Sequence, residues 1–287
     1  MNFESWMTNV TLSSTLRDRL RDKAERLLWT SAIPGRTTFV EQFLEPALTC
    51  GNVGLIGGAV RDLAFQSVRK FKSDLDFVLC VDDFDAFARL SSTLNLRCNA
   101  FGGYRTTVGG LRVDFWEARS SWAHLAGHCQ VNDLSDVRKT TFFNLDAIIL
   151  DVGKRELIAD EEVISGFLER YLDINLRPNP NEDGAAVRAL RRLWKNQLKA
   201  SKRLVDFLVE RVDASGWEAL IERDSLAFPH APILVGLFQD YRPTANQLKN
   251  DFRRAGGRLP PGLQYELEFT SRTPGVQSSS ATADIAA

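Results

Sequence analysis

Two short motifs carry the residues of this chain that could do chemistry. Residues 55–62 read Leu-Ile-Gly-Gly-Ala-Val-Arg-Asp, and residues 73–78 read Ser-Asp-Leu-Asp-Phe-Val. A Gly-Gly turn between a strand and a helix presents backbone N–H groups to a phosphate, with no Cβ to block the approach. Asp74 and Asp76 lie one residue apart on an apolar strand, so they share one face. Paired carboxylates beside a phosphate cradle are what a Mg²⁺-dependent nucleotidyl transfer requires, because Mg²⁺ prefers oxygen ligands and takes up substrate phosphates.

Each motif alone has an ordinary structural explanation, whereas their order and spacing are more specific. Together they resemble the head domain of class II CCA-adding tRNA nucleotidyltransferases and bacterial poly(A) polymerases, in the DNA polymerase β superfamily. The first motif of that family runs Gly-Gly-x-Val-Arg-Asp and is followed by Asp-x-Asp, and every fixed position is present here. The loop at residues 65–70 departs from the family pattern, and the resemblance covers roughly residues 35–200.

Residues 111–116 alternate like a strand and place Asp114 between apolar neighbours. From the residues alone, Asp114 is either a surface-facing strand residue or a carboxylate that needs a partner, since burying an unpaired charge is costly. The resemblance implies the second reading, with Asp74, Asp76 and Asp114 as the catalytic, Mg²⁺-binding carboxylates.

The segment at residues 137–147 resembles the second motif of the family, which touches the incoming nucleotide. Lys139 and Thr140 replace its usual second arginine and acidic residue. The resemblance implies a nucleotide-binding set made of Gly57, Gly58, Arg61, Asp62, Arg138 and Asn144.

The family's neck motif, Glu-Asp-x-x-Arg, reads the nucleotide base. Here Glu182-Asp183 and Arg188 are separated by four residues instead of two. Two further helical residues rotate a side chain by about 200°, so the family's base specificity is not carried over.

Helical periodicity over residues 184–208 predicts one amphipathic helix with an apolar face and an opposite basic face. No acidic residue lies between 184 and 205, so the helix lacks the i,i+4 ion pairs that a solvated surface favours. A solvated surface remains the alternative to an RNA-binding face. The residues predicted to bind RNA are Arg188, Arg191, Arg192, Lys195 and Lys199.

The expected fold is α+β, a polymerase β-like nucleotidyltransferase head with a mixed sheet, followed by a helical neck and C-terminal helices. The expected division is an N-terminal helical segment (1–34), the head (35–155), the neck (156–215), a small helical region (216–271) and a disordered tail (272–287).

Composition places the chain among ordinary proteins, with 44% hydrophobic and 25% charged residues, a net charge of −1 and a pI near 6.4. No apolar run is long enough for a membrane span, and the first residues lack the features of a secretion signal, so a cytoplasmic protein is expected. The predicted function is Mg²⁺-dependent addition of NMP from an NTP, ATP included, to an RNA 3′ end, with release of pyrophosphate. The alternatives are a nucleotidyltransferase that modifies a protein or small molecule, and an inert RNA-binding module of the same fold.

Overall fold

The structure is a computed structural model that describes residues 3–30, 34–99 and 102–259, with side chains described from residue 13 onward. The strands of the described chain are β1 (Gly51–Ile56), β2 (Leu75–Val81), β3 (Arg97–Cys98), β4 (Tyr104–Val108), β5 (Leu111–Glu117), β6 (Ile149–Asp151), β7 (Glu156–Ile158), β8 (Tyr171–Leu172) and β9 (Lys199–Ala200). The helices are α1 (Phe3–Glu25), α2 (Arg36–Phe39), α3 (Glu45–Thr49), α4 (Gly58–Phe65), α5 (Phe84–Thr93), α6 (Trp122–Leu125), α7 (Leu134–Val137), α8 (Glu161–Leu168), α9 (Glu182–Lys195), α10 (Lys202–Ala227), α11 (Leu234–Leu237) and α12 (Ala245–Arg254).

Within the described ranges, β1–β7 form one sheet in the order β3-β4-β5-β2-β1-β6-β7. Strands β2 and β5 are parallel, and the other neighbours in this sheet are antiparallel. A small parallel pair, β8 and β9, lies outside it. The α+β prediction, with a mixed sheet followed by helices, is confirmed.

The sheet's orientation is set by aromatic residues that alternate with the aspartates. Phe77 and Phe115 are fully buried, and both rings pack on Phe43, at centroid distances of 5.1 and 5.3 Å. Because successive strand residues point to opposite faces, burial of these two phenylalanines forces Asp76 and Asp114 onto the other face.

Several element boundaries follow from local capping chemistry. Helix α5 begins after Asp83, whose carboxylate accepts a hydrogen bond from the Ala86 N–H, as expected of a capping aspartate. Helix α12 is capped by Thr244 and is followed by Gly256-Gly257, both with positive φ. Strand β6 is short, because residues 144–146 form a helical turn before it.

One continuous hydrophobic core connects α1, the sheet and the C-terminal helices as far as α12. The predicted division into segments therefore stays a prediction, although the expected boundary at 215/216 falls where Gly216 adopts a non-helical φ of 76° within α10. The tail predicted to be disordered lies outside the described residues. No helix of the described chain combines the length and apolarity that crossing a membrane demands.

The prediction of one continuous basic helix is wrong. Helix α9 ends at Lys195, the chain then pairs with β8 through β9, and α10 begins at Lys202. Gln197, in the connection, has a positive φ of 51°, which lies outside the right-handed helical region. The residues of the predicted basic face therefore belong to separate elements.

Arg191 also has an internal partner. Its Nη1 lies 2.6 Å from Oδ1 of Asp224, a carboxylate with no solvent exposure, and its guanidinium lies 3.8 Å from the Phe228 ring centroid. The second oxygen of Asp224 accepts hydrogen bonds from the backbone N–H groups of Ile233 and Leu234. Arg191 thus joins α9 to α10 and α11.

We expect Arg191→Gln to lower the free energy of unfolding by about 3 kcal/mol, because it leaves the buried Asp224 charge without its partner. Lys195→Gln, on the same helix but exposed, is the matched control and should change stability little. Urea denaturation of both variants measures the difference. Equal transition midpoints would show that the pair does not stabilise the fold.

Candidate active site

Strands β2 and β5 place two of the three predicted carboxylates side by side, and the third lies two residues before one of them in the chain. Asp76 and Asp114 are direct neighbours in the parallel register, and Val78 is the neighbour of Trp116. Asp74 precedes β2, and its Oδ1 lies 2.7 Å from Nε of Arg112. The same face of β5 therefore presents, in order, an arginine, a carboxylate and a tryptophan.

The register extends this row across the sheet. The residues that pair with one another from β3 to β7 are Arg97, Arg105, Asp114, Asp76, Ile56, Ile149 and Ile158. The row therefore changes from cationic to anionic to apolar. The carboxylates lie between charged side chains and a buried apolar cluster that includes Ile56 and Ile149.

The Gly-Gly turn lies beside the Asp76 carboxylate, as the sequence predicts. Gly57 has a φ of 71°, a backbone conformation that favours glycine. A Cβ on Gly57 would lie 3.6 Å from Oδ2 of Asp76, and one on Gly58 would lie 3.7 Å from it. The turn leads into α4, so its N–H groups and the carboxylate border the same space.

Burial of Asp76 dominates the electrostatics of the site, and repulsion from neighbouring carboxylates adds to its effect. Burial, and then the charges of Asp114 and Asp74, raise the pKa of Asp76 to about 7. Arg105 binds Asp114 through two contacts, Nε to Oδ1 at 2.7 Å and Nη2 to Oδ2 at 2.6 Å. Two arginine side chains thus neutralise two of the three carboxylates, while Asp76 has no hydrogen bond or ion pair within the described chain.

The donor set is chemically suited to a divalent cation. All three side chains offer oxygen, which Mg²⁺ prefers, and a cation would relieve the repulsion that raises the pKa of Asp76. Among the described residues, no three acidic, histidine or cysteine side chains converge as a metal-binding group in the present conformation. Asp74 and Asp114 are instead paired with Arg112 and Arg105.

Arg61 and Asp62 tie the Gly-Gly turn to its surroundings. Arg61 forms ion pairs with Asp62 at 2.8 Å and with Asp146 at 2.6 Å. Asp62 also accepts a hydrogen bond from the hydroxyl of Ser73, the residue before Asp74. Their predicted contact with nucleotide stays a prediction, and their observed contacts position the turn and the first carboxylate.

Asp146 is a residue that sequence reasoning missed. It accepts a contact from Arg61 on one oxygen and from Arg192 of α9, at 2.7 Å, on the other. Burial opposes its ionisation, but the two guanidinium groups outweigh that effect and hold the pKa of Asp146 below its ordinary value. Arg192, predicted to bind RNA, therefore links the neck helix to the Gly-Gly turn. The only feature of the sequence that could have identified Asp146 was its position, two residues after Asn144.

Arg138 and Asn144 also have internal partners. Arg138 pairs with Asp160 at 2.6 Å. The Asn144 side chain donates to the carbonyl of Tyr171 and accepts from the N–H of Asp173. Their predicted nucleotide-binding role remains untested, and the contacts present connect the second motif to β8.

A cavity of about 310 Å³ opens beside Trp116. Its walls include Trp122, Thr140, Asn179 and Arg188. Arg188 has no hydrogen bond or ion pair to any described residue, and burial lowers its pKa. A desolvated guanidinium in a cavity that two tryptophans also line offers what a nucleobase or phosphate needs, since arginine stacks on planar groups and donates to anions. Arg188, predicted to bind RNA on the neck surface, instead lines this cavity.

Glu182 and Asp183 do not join Arg188. Glu182 pairs with Arg177 at 2.6 Å and with Arg211 at 2.8 Å, and Asp183 accepts from the Ser215 hydroxyl. Two extra residues separate these groups from Arg188 on a continuous helix, as the altered spacing predicts.

Comparison with solved structures returns tRNA-processing enzymes. The chain is similar to a tRNA-processing enzyme with CTP (17% identity, TM-score 0.49, 74% of this chain and 55% of that one). It is also similar to the Thermotoga maritima CCA-adding enzyme complexed with tRNA (17% identity, TM-score 0.47, 78% of this chain and 61% of that one). A third similar structure is a tRNA nucleotidyltransferase complexed with a primer tRNA and an incoming ATP analogue (18% identity, TM-score 0.46, 71% of this chain and 57% of that one).

The chain spans 55% to 61% of the length of these structures. The likeness is one of chain fold at low identity, and it says nothing about activity or substrate. No protein-family model matches the sequence, and no curated protein matches it either.

The raised pKa of Asp76 leads to a prediction about stability without metal. Between about pH 4 and pH 7 the unfolded chain is ionised at this carboxyl, while the folded chain still binds the proton. The free energy of unfolding of the wild type therefore loses a contribution as pH rises through this window, and Asp76→Asn avoids that loss. Since a displacement of one pH unit corresponds to about 1.4 kcal/mol, the variant should gain at most about 4 kcal/mol at pH 8.

Urea denaturation in a chelator at pH 5 and pH 8 measures this effect. Asp213→Asn, at an exposed aspartate on α10, is the control and should show no pH-dependent gain. An Asp76→Asn variant that gains no more at pH 8 than at pH 5 would contradict the assigned protonation.

Proposed function

We propose that this chain is a Mg²⁺-dependent nucleotidyltransferase that transfers NMP from an NTP to the 3′ end of an RNA. The observation that carries the proposal is that Asp76 lies beside the Gly-Gly turn and is paired in register with Asp114, two residues before Trp116 in the wall of the cavity that Arg188 also lines. Carboxylates, a phosphate-accepting turn and a base-sized cavity are the parts that such a transfer needs.

The chain's own residues divide the work as follows. Gly57 and Gly58 offer backbone N–H groups to phosphate, and Arg61 lies 3.5 Å from the Cβ position of Gly58. Trp116 and Arg188 offer a stacking surface and hydrogen-bond donors to the base. Asp74, Asp76 and Asp114 would hold the Mg²⁺ ions, which supply charge neutralisation for the triphosphate and activation of the attacking hydroxyl.

The covalent step is a displacement at phosphorus. The acceptor hydroxyl oxygen forms a bond to the α-phosphorus, its proton passes to solvent, and the bond from that phosphorus to pyrophosphate breaks. Asp76 must be ionised to bind a cation. Its pKa of about 7 means that metal binding by the resting protein strengthens as pH rises through neutrality, because the cation competes with a proton.

The second candidate function, transfer to a protein or a small molecule, uses the same carboxylates. The exposed cationic side chains next to Asp74 favour a polyanionic acceptor over a protein or a small molecule. The predicted inert RNA-binding module differs from the proposed enzyme in having no use for Asp76.

Asp76→Asn should reduce nucleotide transfer by at least about a thousandfold, which corresponds to about 4 kcal/mol of lost stabilisation. The protein is incubated with Mg²⁺, each NTP in turn and 5′-labelled total RNA. The assay measures the release of pyrophosphate and the lengthening of the labelled RNA. Asp213→Asn is again the control. Retention of a tenth of wild-type activity by Asp76→Asn would remove this carboxylate from the mechanism, and absence of pyrophosphate release from the wild type would favour the inert module.

Arg188→Gln should weaken NTP binding at least tenfold, because it removes the buried guanidinium from the cavity beside Trp116. Arg223→Gln, at an exposed arginine with no partner within the described ranges, tests the effect of charge alone. Calorimetric titration with a non-hydrolysable NTP gives both affinities. An unchanged affinity in Arg188→Gln would place the base elsewhere.

A further inference from the structure

A large basic groove lies on the side of the carboxylates away from Trp116. It has a volume of about 1200 Å³ and is bordered by the end of α1, the loop between α4 and β2, and the turn before β5. Its cationic lining residues are Lys23, Arg26, Arg69, Lys72 and Arg112, and Phe71 adds an aromatic ring. No acidic residue is among the described residues that line it.

Three of the five cations of this groove, Arg26, Arg69 and Lys72, are not neutralised by carboxylates of the described residues, whereas Arg112 is paired with Asp74. Arg26, Arg69 and Lys72 are exposed, and none of them has a hydrogen bond or ion pair to another described residue. Elsewhere on the described surface, cations are commonly paired, as Arg17 is with Glu161. Surface cations left together without carboxylates raise the local potential and attract polyanions.

Lys23 contributes in a different way. Its Nζ donates to the backbone carbonyls of Leu63, at 2.7 Å, and Gln66. These carbonyls fix the position of a positive charge without cancelling it. Lys23 therefore joins α1 to the end of α4 and holds the two walls of the groove together.

The groove leads to the carboxylates through Arg112. This arginine borders the groove, pairs with Asp74, and also borders a second cavity of about 380 Å³ that contains Asp74, Arg97 and Arg105. On the face of β5, Arg112 and Trp116 lie two residues to either side of Asp114, about 7 Å away in each direction. The basic groove and the nucleotide cavity thus approach the carboxylates from opposite sides.

We propose that the basic groove binds the phosphodiester backbone of the acceptor strand and directs its 3′ end to Asp74. The inference rests on the proposed function for its catalytic meaning, because displacement at phosphorus places the attacking hydroxyl opposite the leaving group. Lys23, Arg26, Arg69 and Lys72 contact successive phosphates, and Phe71 offers a surface on which a base stacks. Backbone contacts of this kind do not select a sequence.

This proposal moves the acceptor away from the neck surface on which the sequence places it. Arg191 and Arg192 are paired with Asp224 and Asp146 and are not available to a phosphate. Lys195, Lys199 and Lys202 remain exposed and define the competing surface.

The test compares two triple variants that remove the same charge. The groove variant carries Arg26→Gln, Arg69→Gln and Lys72→Gln, and the neck variant carries Lys195→Gln, Lys199→Gln and Lys202→Gln. Fluorescence anisotropy with a 5′-labelled 12-nucleotide single-stranded RNA, and with DNA of the same sequence, gives affinities at several salt concentrations. Calorimetric titration with an NTP is run on each variant.

We expect the groove variant to bind RNA at least tenfold more weakly. The slope of log affinity against log salt should become less negative by about 2, since each phosphate contact on a single strand contributes about 0.7. The neck variant should match the wild type, and both variants should bind NTP normally. An equal loss of affinity for RNA and DNA would identify the phosphodiester backbone as the group that is bound. A loss of affinity for RNA alone would show that the groove also contacts the 2′-hydroxyl.

A loss in the neck variant with an unchanged groove variant would overturn the proposal, as would a wild type that shows no salt-dependent binding to either strand. The proposed function fails separately, through absent pyrophosphate release or unimpaired Asp76→Asn. A chain that binds RNA in the groove but releases no pyrophosphate would keep the acceptor site and lose the reaction.

Discussion

The parallel pairing of β2 with β5 is the constraint on which the rest of this structure depends. It places Asp76 beside Asp114, and burial of Phe77 and Phe115 against Phe43 prevents either strand from turning over. Like charges at neighbouring strand positions destabilise a sheet. The fold tolerates this row because its hydrophobic face is large and its arginines partly compensate the repulsion.

The arginines fall into two groups with different tasks. Arg61 and Arg192 share the largely buried Asp146 and in this way fix the Gly-Gly turn against α9. Arg105 and Arg112 are more than half exposed and pair with Asp114 and Asp74. Their guanidinium groups are therefore more accessible than those of Arg61 and Arg192, which are 12% and 14% exposed.

The sequence predicts local features of this protein better than its long-range contacts. The Gly-Gly turn, the aspartates on one strand face and the Asp83 cap follow from periodicity and backbone chemistry within a few residues. The basic helix failed because helical periodicity was extended through residues 196–201, where pairing of β9 with β8 overrides it. Nothing local in the sequence indicates that Asp146 lies between Arg61 and Arg192, or that Trp116 and Arg188 line one cavity, because those partners are distant in the chain.

The cross-strand row that runs from Arg97 to Ile158 also gives the sheet an internal electric field. Positive charge lies at the β3–β4 edge and negative charge at β5 and β2. The uncharged isoleucines of β1, β6 and β7 follow. The register of the strands therefore sets the order in which a ligand moving across this row would meet positive charge, negative charge and apolar side chains.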